Sequence, residues 1–282
     1  MSKVALVLEG GALRGIFTAG VVDCFLEHNI HFDYVVGVSA GACNLMSMVS
    51  RQPHFFKQVV LETGKQETFY GLREMAQSHK LLNLNKIFNE YTYTHGFDIK
   101  KVVDSKTKWD MVVTNIETGK AEYLHTKDEA KARIIGTASC SIPVLTDPVE
   151  IDGHMYSDGG SADSIPLQRA IDMGCDKFVV VCTRKKGNFS KTSDTAMPIL
   201  KRKYKDYPNL IKTLEERGSR YKRQISMVEK YAKGKDLILI RPTMQEIGSL
   251  ESDADELSLS YYHGYTKAEE YISDIKRLKR II

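Results

Sequence analysis

The first fifty residues alternate apolar blocks with glycine turns. Val4-Ala5-Leu6-Val7-Leu8 is a continuous apolar run ending at Gly10-Gly11. That pattern predicts a strand buried on both faces, running into a tight turn. From Ile16 to Glu27 the apolar residues Ile16, Phe17, Val21, Phe25 and Leu26 recur at helical spacing, as on a helix packed against a sheet. Asp33-Tyr34-Val35-Val36-Gly37-Val38 predicts a second buried strand, and Ala40 to Val49 a small-residue helix after it. Strand, turn, helix repeated in this way predicts an α/β fold with a parallel sheet.

Further along, Trp109–Ile116 and Ala121–His125 flank Glu117-Thr118-Gly119-Lys120, a hairpin signal. Asp128 to Ser139 reads as a helix that stops before Pro143. Val149–Ile151 and His154–Tyr156 flank Asp152-Gly153, a second hairpin turn. Pro166 to Met173 reads as a helix, and Lys177 to Thr183 and Leu237 to Ile240 as buried strands. The stretch from about 52 to 100 is richer in aromatic and polar groups, with helix-like pieces, and reads as a cap or an insertion over the sheet. Lys185 to Asp194 reads as a loop, and Glu256 onward as a terminal helix.

After residue 184 the charge balance shifts. Between Leu200 and Lys235 there are twelve Lys and Arg against four Asp and Glu. Apolar Leu210, Leu214, Tyr221, Ile225 and Val228 share one helical face there. The first expectation is a helix packed on the domain with a solvated basic side. The alternative is a surface that docks on an anionic membrane. No nucleic-acid motif accompanies the charge. Over the whole chain of 282 residues the formal charge is only +4, so nucleic acid is not an expected partner. No apolar stretch reaches the roughly 18 residues of a membrane-spanning helix, and no signal peptide is expected. Five scattered cysteines without a close pair read as reduced core thiols of a cytosolic protein.

Three motifs carry candidate chemistry. Gly37-Val38-Ser39-Ala40-Gly41 is GxSxG between a strand and a helix, where a nucleophile elbow belongs. There Ser39 would be the nucleophile, with the positive end of the following helix facing it. Gly10-Gly11-Ala12-Leu13-Arg14-Gly15 also joins strand to helix. A dinucleotide fingerprint would want glycine where Ala12 stands and an acid closing the second strand. A loop offering backbone N–H groups to an oxyanion fits better. Arg14 would steady that loop or stay in solvent. None of the eight histidines stands in a motif that marks a base. The order Ser…Asp…His would nominate His263, yet Ser39 follows only the second strand. Asp158, in Tyr156-Ser157-Asp158-Gly159-Gly160, follows a hairpin strand and opens a glycine turn. From spacing alone a plain turn residue is the favoured reading.

The succession GGALRG, GVSAG and YSDGG, with the connector Ala138 to Pro143, is similar to the patatin-like phospholipases. The stretches EGGALRGIFTAGVVDCFLE and DGGSADSIPL look most like the intracellular bacterial branch of that family. The likeness runs over about residues 4–183, the expected catalytic domain, with 184–282 as a basic, mainly helical extension. It implies a three-layer α/β/α fold and a Ser39–Asp158 dyad. It also implies hydrolysis of lipid acyl esters through an acyl-enzyme, without metal or cofactor. A small-ester or thioester hydrolase, or a non-catalytic lipid-binding relative, are the alternatives. Two positions depart from the family pattern. Ala12 replaces the third glycine of its loop, and Ser164 stands where Asn is common.

Overall fold

The computed structural model describes residues 2–61, 82–90, 94, 96–189, 194–244, 246–251 and 253–280. Its centre is an eight-stranded sheet in the order β5-β6-β3-β2-β1-β7-β8, with β4 paired to β3. The strands are β1 (Val4–Leu8), β2 (Tyr34–Val38), β3 (Lys108–Asn115), β4 (Ala121–Leu124), β5 (Val149–Ile151), β6 (His154–Asp158), β7 (Lys177–Val181) and β8 (Leu237–Ile240). Strands β3, β2, β1, β7 and β8 run parallel. The β3–β4, β3–β6 and β5–β6 pairs are antiparallel.

The helices are α1 (Gly15–Glu27), α2 (Ala40–Ser50), α3 (Phe55–Leu61), α4 (Ile99–Val103), α5 (Glu129–Ser139), α6 (Leu167–Asp172), α7 (Met197–Lys203), α8 (Pro208–Glu215), α9 (Arg217–Tyr231), α10 (Ala254–Glu269) and α11 (Ile272–Arg280). Side-chain alternation along β1 assigns them to layers. Val4, Leu6 and Leu8 face a core shared with α1, α2, α5 and α10. Ala5 and Val7 face a second core shared with α6 and α9. A strand sandwiched this way buries both faces, which explains its unbroken apolar run. The expected three-layer α/β/α architecture is therefore borne out.

Helix α1 is buried almost all round because it lies between the sheet and α10. The two helices touch backbone to backbone. A Cβ on Gly20 would stand 2.0 Å from the Tyr261 carbonyl oxygen, and one on Gly264 1.9 Å from that of Phe17.

The basic stretch from 200 to 235 folds differently from a single helix. Pro208 opens α8, where its missing N–H costs nothing, and the chain turns between Tyr204 and Tyr207. The segment therefore forms α7, α8 and α9. The extension is mainly helical, and it also contributes β8 to the central sheet. Of the expected cap over 52–100, residues 62–81, 91–93 and 95 lie outside the described residues, as do 190–193 of the expected loop.

Candidate active site

The parallel strands all end at one edge of the sheet, and the residues just past those ends meet there. Such an edge is where α/β sheets bind ligands. Ser39 follows β2 and has φ 55° and ψ −124°. This is a left-handed conformation that costs a non-glycine residue on the order of 1–3 kcal/mol. Two contacts hold it. The Ser39 N–H donates to Ser139 Oγ at 2.9 Å, and Ser139 Oγ donates to the Val112 carbonyl at 2.7 Å. The Ser39 carbonyl accepts from the amides of Ala42 and Cys43. The elbow must also press against β1: a Cβ on Gly41 would stand 2.4 Å from the Leu8 carbonyl oxygen. Val38 completes β2 beneath the turn, and Gly37 and Ala40 flank it.

Asp158 ends β6 and is buried, 6% exposed. Its Oδ1 accepts the Gly160 N–H at 2.7 Å, inside the short helical turn Gly159–Ser161. Its own amide donates to the Ser141 carbonyl and its carbonyl accepts from Thr114 Oγ1. Burial pushes the Asp158 carboxyl above the usual carboxylate range. The Ser39 hydroxyl hydrogen bond, the Arg217 charge and the Gly160 amide each pull it back. The sheet thus brings Ser39 and Asp158 together across 119 residues of chain. Ser164, at the family's Asn position, donates its hydroxyl to the Gly160 carbonyl at 2.8 Å and so supports the same turn.

The loop Gly10 to Gly15 lies over Ser39. Its amides are not equivalent. Leu13 donates to the Ser249 carbonyl and Arg14 to that of Gly11. Gly15 donates to Ala12. The amides of Gly10, Gly11 and Ala12 make no hydrogen bond among the described residues. Ala12 adopts φ 50°, the left-handed conformation that a glycine at this position would take without strain. The backbone therefore follows a glycine path with an alanine on it.

Two cavities meet at Ser39. One, of about 240 Å³, is the more polar of the two and is lined by Gly10 to Ala12, Ser39, Asp158 and Gly160 among others. The other is small and apolar, lined by Cys43, Phe56, Leu84, Ile87 and Cys140 among others. Ala12, Ser39, Ile142 and Leu250 border both. From the 52–100 stretch, Phe56, Leu82, Leu84 and Ile87 line the apolar cavity.

Several residues here were not singled out by motif. Glu9 is 1% exposed. It accepts from the Thr183 amide at 2.7 Å and from the Tyr221 hydroxyl at 2.8 Å, and burial raises its pKa. It ends an apolar run immediately before the glycine loop, and that is the signal for a buried acid. Arg184 follows the end of β7 and Arg217 opens α9; both line the polar cavity, as does Arg14. Burial, then the neighbouring Arg184 charge, push the Arg14 pKa down to about 10. Arg217 sits one helical turn before Tyr221, on the buried face of α9.

Among the described residues no histidine lines either cavity. His263 takes a hydrogen bond from Thr243 and packs edge-on against Phe17. The histidine-base alternative has no support here. All five cysteines are buried free thiols.

A family model described as patatin-like phospholipase matches residues 6–171. A second, a domain of unknown function (DUF6363), matches residues 207–280. An uncharacterized Escherichia coli protein, YjjU, is 30% identical over 186 residues, covering 64% of this chain and 52% of its own. Lysophospholipase NTE1 of Meyerozyma guilliermondii is 25% identical over 97% of this chain and 19% of its own. The chain thus spans about half of the bacterial relative and about a fifth of the fungal one. Among solved structures, VipD from Legionella pneumophila aligns with TM-score 0.48 at 14% identity, over 96% of this chain and 67% of its own.

Proposed function

The chain belongs to the patatin-like phospholipase family, and on that premise we propose that it is a serine hydrolase of lipid acyl esters. In this reading Ser39 is the nucleophile and Asp158 its base. One observation carries it: Ser39, held on a strained turn, and the buried Asp158 line one cavity, and that cavity meets an apolar one at Ser39.

The steps follow from those positions. The acyl chain enters the apolar cavity and the ester carbonyl sits over Ser39. Asp158 takes the Ser39 proton as Oγ attacks. Its raised pKa makes it a stronger base than an ordinary carboxylate. Negative charge on the tetrahedral oxygen faces the amides of Gly10, Gly11 and Ala12 and the first N–H groups of α2. Collapse expels the alcohol, which recovers the proton from Asp158. Asp158 then takes a proton from water as it attacks the acyl-enzyme; collapse releases the fatty acid and returns that proton from Asp158 to Ser39 Oγ. The chemistry as written uses protein groups alone. Cytoplasmic placement belongs to this proposal. Among the described residues no helix is long and apolar enough to cross a membrane.

The test is fatty-acid release from a monoacyl phospholipid by wild type and Ser39→Ala. Release by wild type that falls by three orders of magnitude or more in the variant is expected. Release from neither, with cleavage of small esters or thioesters only, would favour the small-substrate reading. No cleavage of any ester would favour a non-catalytic relative.

Contact with an anionic membrane through 200–235 belongs to the same proposal. Ten of the twelve cations there are exposed, while Arg217 and Arg220 turn inward. Preferential pelleting with anionic over neutral vesicles is expected, and equal pelleting would exclude that contact.

A further inference from the structure

Thr183 stands just past the end of β7, is 1% exposed and lines neither cavity at Ser39. Its side chain is nevertheless built against the loop that faces Ser39. Thr183 Oγ1 donates to the Gly10 carbonyl at 3.0 Å. The Thr183 amide donates to Glu9 Oε2 at 2.7 Å, and the other carboxyl oxygen of Glu9 accepts from the Tyr221 hydroxyl at 2.8 Å. A line of hydrogen bonds thus runs from α9 through Glu9 and Thr183 to the peptide joining Gly10 and Gly11.

That peptide needs an outside support. The amides of Leu13, Arg14 and Gly15 are tied to carbonyls, whereas a peptide between two glycines turns over at little steric cost. The Thr183 hydroxyl fixes which way it faces. A trans peptide points its C=O and its N–H in opposite directions. In the sheet β1 lies between β2 and β7. Thr183 follows β7 and Ser39 follows β2. A Gly10 carbonyl held on the β7 side therefore turns the Gly11 N–H toward the β2 side, where Ser39 stands. Two close approaches agree with this. A Cβ on Gly10 would lie 3.2 Å from Ser39 Cβ, and one on Gly11 2.6 Å from Thr183 Oγ1. The peptide is wedged between the nucleophile and the threonine.

We propose that Thr183 is a positioning residue of the oxyanion hole: its hydroxyl aims the Gly11 N–H at the ester oxygen over Ser39, and Glu9 and Tyr221 hold Thr183 in place. This rests on the hydrolase reading above and adds to it a residue that touches no substrate. Thr183 lies beyond residues 6–171, which match the catalytic family, and Tyr221 lies within 207–280. The domain of unknown function therefore braces the loop that stabilises the anion.

A positioning role shows in the transition state, because a donor aimed where charge develops raises kcat and leaves substrate binding alone. The test follows hydrolysis of a hexanoyl monoacyl phospholipid, short enough to stay monomeric. Thr183→Val keeps the shape and removes the hydroxyl. Its kcat is expected to fall by about 10- to 100-fold at unchanged KM, somewhat less than the roughly 10²–10³ for deleting such a donor. Thr183→Ser restores the hydroxyl and kcat with it. Tyr221→Phe lowers kcat in the same sense, by less. Thr213→Val is the matched control. Thr213 Oγ1 also donates to a glycine carbonyl, that of Gly119 at 2.7 Å, and lines neither cavity; its variant keeps the wild-type kcat. A hexyl trifluoromethyl ketone, whose adduct with serine carries the oxyanion, is expected to bind Thr183→Val more weakly by the factor lost in kcat/KM. The product hexanoate binds both proteins equally.

Wild-type kcat in both Thr183→Val and Tyr221→Phe would overturn the inference and leave the hydrolase reading standing. A loss that Thr213→Val shares, a loss confined to KM, or equal ketone affinity in wild type and Thr183→Val would overturn it too. Should Thr183→Val not fold, Tyr221→Phe decides: a lower kcat at unchanged KM supports the inference, and an unchanged kcat overturns it. Hydrolysis by none of the proteins, wild type included, would overturn the hydrolase reading, and the inference with it.

Discussion

Ala12 holds a left-handed φ of 50° above the nucleophile. An L-residue there carries about 1–2 kcal/mol of strain. Glycine would remove it, at the cost of about 0.4–1 kcal/mol in unfolded-chain entropy. Ala12→Gly is therefore expected to stabilise the fold by about 0.5–1 kcal/mol in denaturant unfolding; a loss of stability would contradict the strain. Asp158 carries the opposite burden. Its pKa is raised by burial, so the folded state holds its proton more tightly than the unfolded chain. The penalty is absent below the unfolded carboxylate pKa and grows as pH rises through the raised value. Asp158→Asn should therefore abolish turnover and raise the melting temperature at neutral pH, with a smaller gain near pH 4. A gain independent of pH would place its origin elsewhere. The same ionisation sets activity. In wild type, kcat/KM should fall on the acid side with an apparent pKa above the ordinary carboxylate value of 3.8. Removing the Arg217 charge should move that limb to higher pH.

At the scale of elements, the helix pair α1–α10 makes the sharpest prediction. With Gly264 facing the Phe17 carbonyl, Gly264→Ala forces the helices apart and should cost about 3 kcal/mol by chemical denaturation. An unchanged midpoint would mean the two backbones are not in contact. The elements themselves were legible in the sequence wherever periodicity and turn residues agreed. The run Val4–Leu8, the strand expected over Lys177–Thr183 (formed as Lys177–Val181), the Asp152-Gly153 hairpin and the helix expected over Asp128–Ser139 (formed as Glu129–Ser139) all appear. Charge density was a poorer guide. It marks 200–235 as basic, but only tertiary packing determines that Arg217 and Arg220 turn inward while their ten neighbours face solvent. The phase of Arg217 with Tyr221, Ile225 and Val228 was the available clue. Glu9 was similarly readable as an acid that closes an apolar run. Its partner Tyr221 lies 212 residues away, beyond any local pattern. For the same reason spacing alone could not raise Asp158 above a plain turn residue; family resemblance did.

For the whole molecule, the segment after residue 184 is woven into the part before it. β8 extends the sheet from β7, α10 covers α1, Tyr221 bonds Glu9, and Arg217 grips the turn that holds Asp158. A chain ending at residue 183 would expose the β7 edge and uncover α1, and would leave Glu9 buried without its tyrosine. We expect it to show no cooperative melt by circular dichroism. A sharp transition would establish residues 4–183 as an autonomous domain. The central claim, that Ser39 is a nucleophile activated by Asp158, is tested most directly by covalent trapping. Wild type, Ser39→Ala and Asp158→Asn would each be treated with a fluorophosphonate and their intact masses followed over time. The expected result is a single adduct on wild type that maps to Ser39. It is absent from Ser39→Ala and forms far more slowly on Asp158→Asn. An adduct that persists in Ser39→Ala, or equal labelling rates in wild type and Asp158→Asn, would contradict the account.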